Sequence, residues 1–369
     1  VKDERIRFDT RTPFELELRR RVDAHLRARG LGRDGGAKIR RKTAVLFAWW
    51  AAGMAMALIG ATPAWVLLGS INVGLAVGGM GMSIQHDGGH RAFASTRRGN
   101  WWAAAVLDFL GASSYVWRVK HGVVHHTFPN VEGADDDIEL GALARMSPGQ
   151  PRYAFHRLQF VYLPLLYGFI TFKWFLWDDY RDLLRGKVGA ANIAMPRGAE
   201  LALFIAGKVA HLGWGLVLPV IVLGWAWGLA FYVVAFYLAG FVLALVFQLA
   251  HCVEEAEFIS LAPSEHIERG FAQHQLATTV DFARENPWLT WYVGGLNFQA
   301  VHHLFPRISH VHYPELAGIV ETCCAEYGVR YHASPSLRAA VTSHLRWLWR
   351  MGQPVADASP GRLDTLTAP

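Results

Sequence analysis

The chain has 369 residues and a formal net charge of +6, with 52% hydrophobic but only 18% charged residues. An ordinary soluble domain carries about 25% charge, and mean hydropathy here is positive at +0.18, so composition argues against a freely soluble enzyme. Three cysteines (Cys252, Cys323 and Cys324) exclude a disulfide framework or a zinc knuckle.

In chain order, residues 1–42 form a basic segment that includes Arg19-Arg20-Arg21 and Arg40-Arg41-Lys42. Its charge argues against a secretory signal. Residues 43–85 carry no charge, which is too long for one span of about 20 residues. Thr62-Pro63 divides them into spans over about 43–61 and 64–84. Residues 101–112, interrupted by Asp108, are read as interfacial. So is 158–177, which contains Pro164 and Lys173 and ends in Trp-Asp-Asp. A crossing there would put His251 on the opposite face from His86. Residues 199–250 divide at Gly224, beside Trp225 and Trp227, into spans over 199–223 and 225–250; the first contains Lys208 and His211. The tail, 351–369, is short, polar and expected to be unstructured.

The predicted fold is therefore an all-α integral membrane protein. It has four transmembrane helices and a cytosolic helical cap made of 85–198 and 251–350. The Lys/Arg bias of the loops places the cap and both termini on the cytoplasmic side. Basic charge beside apolar spans points to anionic lipid rather than nucleic acid as its partner.

Eight of the 17 histidines fall into a pattern. "QHDGGH" holds His86 and His90 just after the second span, and "HGVVHH" holds His121, His125 and His126. His251 directly follows the fourth span, and "NFQAVHHLFP" supplies His302 and His303. Helical i,i+4 spacing puts two rings on one face. An adjacent histidine points about 100° away and can serve a second ion. A closed structural zinc site uses four ligands, so eight imidazoles favour two ions. Imidazole suits iron, copper, zinc and nickel alike; a redox pair beside apolar helices favours iron. Asp87, Glu132, Asp135, Asp136, Asp137, Glu254 and Glu255 lie near these histidines in sequence. Each is a candidate to accept a ligand's second N–H. Trp117 and Arg118 are candidates for a head-group contact, whereas His310 and His312 in "ISHVHYP" are expected to be exposed or capping.

The order HDxGH, HxxxHH, QxxHH, with His251 between the last two, resembles the membrane fatty acid desaturases. The branch is the acyl-CoA and acyl-lipid one whose third box begins with glutamine. Flanking words agree, among them "KHGVVHHTFPNVEGADDDIEL", "HQLATTVDFA" and "GGLNFQAVHHLFPRISHVHYPELAGIV", and the resemblance covers about residues 71–331. It implies two non-haem irons held by His86, His90, His121, His125, His126, His251, His302 and His303. Gln299 stands where other branches carry a histidine and would ligate directly or through water. Asp87, His274 and Asn297 are expected just outside the ligands. Asp281 stands in "HQLATTVDF" where the branch more often has asparagine, with no role assigned to it. No haem-binding HPGG word occurs, so electrons are expected from a separate ferredoxin or cytochrome b5-type protein.

An unactivated methylene is neither acidic nor electrophilic, so acid–base and nucleophilic catalysis cannot open it. Redox metals with dioxygen can, and the metals carry that chemistry while the protein positions them. The expected activity is oxygen-dependent desaturation of a fatty acyl chain bound to CoA, lipid or a carrier. A diiron hydroxylase or acetylenase on a lipid would use the same ligands. A histidine-rich metal transporter would instead place its polar ligands near mid-bilayer.

Overall fold

The computed structural model describes residues 8, 12–60, 62–260 and 267–354. The expectation for the tail falls largely on 355–369, outside these residues. Thirteen helical segments follow in order among the described residues: α1 (Pro13–Ala28), α2 (Gly36–Gly60), α3 (Pro63–Gly89), α4 (Arg97–Phe109), α5 (Ser114–Val119), α6 (Ala154–Arg185), α7 (Ala199–Leu223), α8 (Trp225–His251), α9 (Phe271–Ala277), α10 (Pro287–Tyr292), α11 (Gln299–Leu304), α12 (Tyr313–Glu326) and α13 (Leu337–Gly352). Several begin on a local cap. Thr12 and Thr62 each precede a proline, and their hydroxyls accept the Glu15 and Trp65 backbone N–H. Proline at the first helical position lacks only an N–H that would have no partner.

Five helices (α2, α3, α6, α7 and α8) are long and apolar enough to cross a membrane. The sequence leads one to expect four, with 158–177 in the interface. The fifth, α6, runs on through Trp-Asp-Asp because its acids find partners. Lys173 donates to Asp178 at 2.6 Å, Arg181 pairs with Asp182 at 2.7 Å, and Lys208 pairs with Asp179 at 2.5 Å. It is not a uniform helix: Pro164 lies inside it, a tight 3-10 turn covers Tyr167–Phe169 and a wide π turn covers Trp174–Asp178.

The five form two layers. In α3, 72% of the most apolar stretch is buried, against 22% in α2, α6 and α7. The inner pair α3 and α8 is thus wrapped by helices whose large apolar side chains face outward. Among them are Ile59, Leu176, Val209 and Ile221, as lipid-facing surfaces require. Close approach of α6 to α8 depends on Gly240, where a Cβ would sit 2.6 Å from the Gly168 carbonyl oxygen. Gly240→Val is expected to cost about 1–3 kcal/mol through overpacking, measured as a lowered unfolding temperature in detergent.

The basic N-terminal segment contains an amphipathic helix. Phe14, Leu18, Val22 and Leu26 of α1 recur every four residues and pack against Leu316, Val320 and Cys323 of α12. Two short strands matter later: β1 (Asp281–Phe282) and β2 (Ala333–Ser334), which pair in parallel.

Candidate metal centre

α3 does not end as a regular helix. Gly81–Gln85 forms a π turn directly before His86, and a second π turn, Lys120–His125, follows α5. Such turns are rare and often mark functional sites. The second one alters the expected i,i+4 geometry. With about one residue more per turn than the 3.6 of an α-helix, positions i+4 and i+5 fall on either side of position i. His121 therefore meets both His125 (centroids 5.1 Å apart) and His126 (4.8 Å).

The two glycines of "HDGGH" have a steric reason. A Cβ on Gly88 would lie 2.4 Å from the Ala104 nitrogen of α4, and one on Gly89 would lie 2.2 Å from the Trp117 ring. Trp117 stacks on His121 at 4.6 Å. It therefore lines the site, while Arg118 turns to Glu200 at 3.2 Å.

All eight patterned histidines converge. One group of ligand atoms comes from His86, His90, His121 and His302, a second from His125, His251 and His303, and a third from His126, His302 and His303. Within each group the atoms lie within 4.8 Å of one another. The Nε2 atoms of His86 and His126 stand 3.3 Å and 3.2 Å from that of His121. Nitrogens each about 2.1 Å from one ion sit roughly 3.0–3.4 Å apart. Gln299 is present as well, with its amide nitrogen 2.9 Å from His251 Nε2.

Outward partners fix the tautomers. His125 Nδ1 donates to Asp135 at 3.1 Å, His251 Nδ1 to the Thr278 carbonyl at 3.1 Å, and His303 Nδ1 to Gln275 Oε1 at 2.8 Å. His302 Nδ1 shares a 3.1 Å hydrogen bond with the Tyr313 hydroxyl. The Nε2 atoms of His90, His125, His302 and His303 are buried with no hydrogen-bond partner among the described residues. Unpartnered buried nitrogens are costly, and a shared cation is the partner this geometry accommodates. Burial, followed by neighbouring imidazoles, holds His90, His126, His302 and His303 well below the ordinary histidine pKa. They are therefore neutral, as metal binding requires. Burial also pulls His125 down, but Asp135 and Asp137 outweigh it and raise the ring.

The outer candidates fall differently. Asp87 is buried beside His86, yet it accepts from Ser309 Oγ at 2.6 Å and pairs with His310 at 3.0 Å. Asn297 donates to Thr290 Oγ1 at 2.9 Å, and His274 packs on Phe8. Among the described residues none of these three hydrogen-bonds a patterned ring. Of the candidate acids, Asp135 does; Asp136 pairs with Lys120 and Glu132 accepts from the Gly149 N–H. His310 and His312 are buried rather than exposed. The 307–312 loop folds beneath the start of α2, where His310 Nε2 meets Lys42 Nζ at 2.9 Å and His312 Nε2 donates to the Asp34 carbonyl at 3.0 Å. Gln275, Tyr313 and the Thr278 carbonyl carry no motif of their own. The only cue is their place in the words around the boxes.

The fold and site define a helical protein whose apolar bundle ends in a buried polyhistidine cluster able to hold metal. The family model for fatty acid desaturases matches residues 61–335. The chain is 35% identical, over 94% of its length and 95% of the relative's, to an sn-1 linoleoyl-lipid 6-desaturase of Arthrospira platensis. It is 36% identical to a protein of the same name from Synechocystis sp., over 95% of its length and 98% of the relative's. An acyl-lipid (8-3)-desaturase of Physcomitrium patens is 37% identical over 74% of this chain and 58% of that protein. The chain belongs to the fatty acid desaturase family, and it is an oxidoreductase acting on fatty acyl chains.

Proposed function

We propose that the chain is an oxygen-dependent acyl-lipid desaturase with two non-haem irons. The reaction is –CH2–CH2– + O2 + 2e⁻ + 2H⁺ → –CH=CH– + 2H2O. His86, His90, His121 and His302 would hold one ion. His125, His251 and His303, with Gln299 alongside, would hold the other, and His126 stands between the groups. When bound, the iron pair supplies the redox capacity to remove two hydrogens from an unactivated chain using dioxygen. The protein's own part is to hold imidazole lone pairs inward through Asp135, Thr278, Gln275 and Tyr313, and to exclude water around buried rings. The carrying observation is the convergence of eight imidazoles from four separate segments at the ends of α3 and α8.

We infer four membrane crossings with the site on the cytoplasmic face. Both ends of α6 support this. His156, near its start, bonds the Ala142 carbonyl at 2.8 Å, and Arg181, near its end, pairs with Asp136 at 3.8 Å. The two ends thus meet the same stretch, 136–142, which supports reading α6 as leaving and returning on one side. The two electrons come from a ferredoxin or cytochrome b5-type donor that docks there.

The lipid-linked substrate is inferred from the two relatives matched along nearly their whole length. In a host supplied with linoleate, expression is expected to add a double bond at carbon 6 of lipid-bound linoleoyl chains. Gas chromatography of methyl esters from separated lipid classes reads this out. A profile identical to that of the empty-vector host, with the protein present in the membrane, would reject the reading.

A further inference from the structure

Asp281 is fully buried and takes no part in the cluster described above. Its Oδ1 accepts the Ala300 backbone N–H at 2.9 Å. Its Oδ2 accepts the Tyr331 hydroxyl. Arg284 lies over the Tyr331 ring at 5.3 Å, with Nη1 3.4 Å from that hydroxyl and 3.1 Å from Glu321. The surrounding backbone is tied as well. Asp281 N donates to the His332 carbonyl and Phe282 N to the Asn297 carbonyl, each at 3.0 Å. Strand β1 thus holds the chain at 297 and at 300, on both sides of the residue that opens α11.

Helix α11 is only six residues long, and the residue before it, Phe298, provides no side-chain cap. A helix start needs an acceptor for its second or third N–H. Here the acceptor comes from a residue 19 positions earlier. This short helix carries Gln299, His302 and His303, so a frayed first turn would move all three.

We propose that Asp281 is a positioning residue that caps α11 from a distance and sets the register in which Gln299, His302 and His303 meet the metal pair. This rests on the metal reading above. The working element is the acceptor oxygen, since the bond to Ala300 requires only an oxygen lone pair. The negative charge works against folding. Burial first, reinforced by Glu321 and eased by Tyr331, Ala300 and Arg284, raises the carboxyl to about 6 from 3.8. A raised acid pKa means a stability penalty that grows as pH rises through that window and is complete above it.

The test uses the full-length protein in detergent, loaded with ferrous iron and challenged with a ferrous chelator. Asp281→Ala is expected to release iron at least about 10-fold faster than wild type, as loss of a ligand's supporting contact does. Asp281→Asn keeps the acceptor oxygen. It is expected to release iron within about 3-fold of wild type and to unfold no earlier at pH 7.5. Equal release by Asp281→Ala and wild type would overturn the proposal. So would iron loss that merely follows a lower unfolding temperature of the metal-free alanine variant, or an asparagine variant no better than alanine. Wild-type protein that takes up no iron would overturn the metal reading itself, and this proposal with it.

Discussion

Replacing His303 by alanine is expected to abolish double-bond formation, by more than about 100-fold, because even the outer partners of metal ligands cost about 10–100-fold when lost. His303 belongs to two of the converging groups, with His125 and His251 and with His126 and His302. On that assignment its loss removes a ligand of one ion and leaves a gap beside His126 and His302. The variant should still fold, since among the described residues the Nε2 of His303 has no protein partner to lose and Gln275 alone is released on the other side. Iron per chain should fall well below that of wild type, which elemental analysis of the purified protein checks. Asp135→Asn, which keeps the shape but weakens the bond to His125, should give a smaller loss within that 10–100-fold range. A His303→Ala variant that retained both its iron and the lipid profile would remove His303 from the ligand set.

Replacing Lys208 by methionine is expected to be the most damaging change away from the histidines. Lys208 Nζ donates to Asp179 Oδ2 at 2.5 Å and to the Gly111 carbonyl at 2.7 Å, inside the contact of α7 with α4 and α6. Removing one partner of a buried pair costs about 3–5 kcal/mol, because the other charge is left unpaired. That is a large part of the roughly 5–15 kcal/mol that holds a typical domain folded. Adding Asp179→Asn to Lys208→Met should restore most of the loss, since no charge is then left unpaired and an oxygen still accepts the Ser113 N–H. Thermal unfolding of the single and double variants in detergent decides it. A single variant as stable as wild type would mean that the pair carries no such weight.

Much of this architecture is legible in the sequence because its signals are local. An uncharged run from 43 to 85 announces apolar helices without any knowledge of their partners. Adjacency and i,i+4 spacing mark His121, His125 and His126 as one group. The same local logic fails where the deciding partner is distant. His310 reads as a loop histidine until Lys42 and Asp87, from two other helices, close around it. Asp87 looks like support for its neighbour His86, yet its carboxylate turns to Ser309. The amphipathic face of α1 was within reach, since Phe14, Leu18, Val22 and Leu26 keep strict spacing, but the surrounding arginines mask it. The extent of α6 was hidden by its own charges, whose partner Lys208 lies in another helix.

The wide turns at Gly81–Gln85 and Lys120–His125 store the angular phase of the ligands as a count of residues. A π turn is an α-helix with one residue added, so its effect is erased by a deletion rather than by a substitution. Wound as an ordinary helix with the same residues, the segment would carry His126 about 140° around the axis from His121, away from the face the two rings now share. No side chain chosen at any other position could correct such a rotation. The winding of the backbone, and not only the identity of the side chains, thus sets which rings face one another.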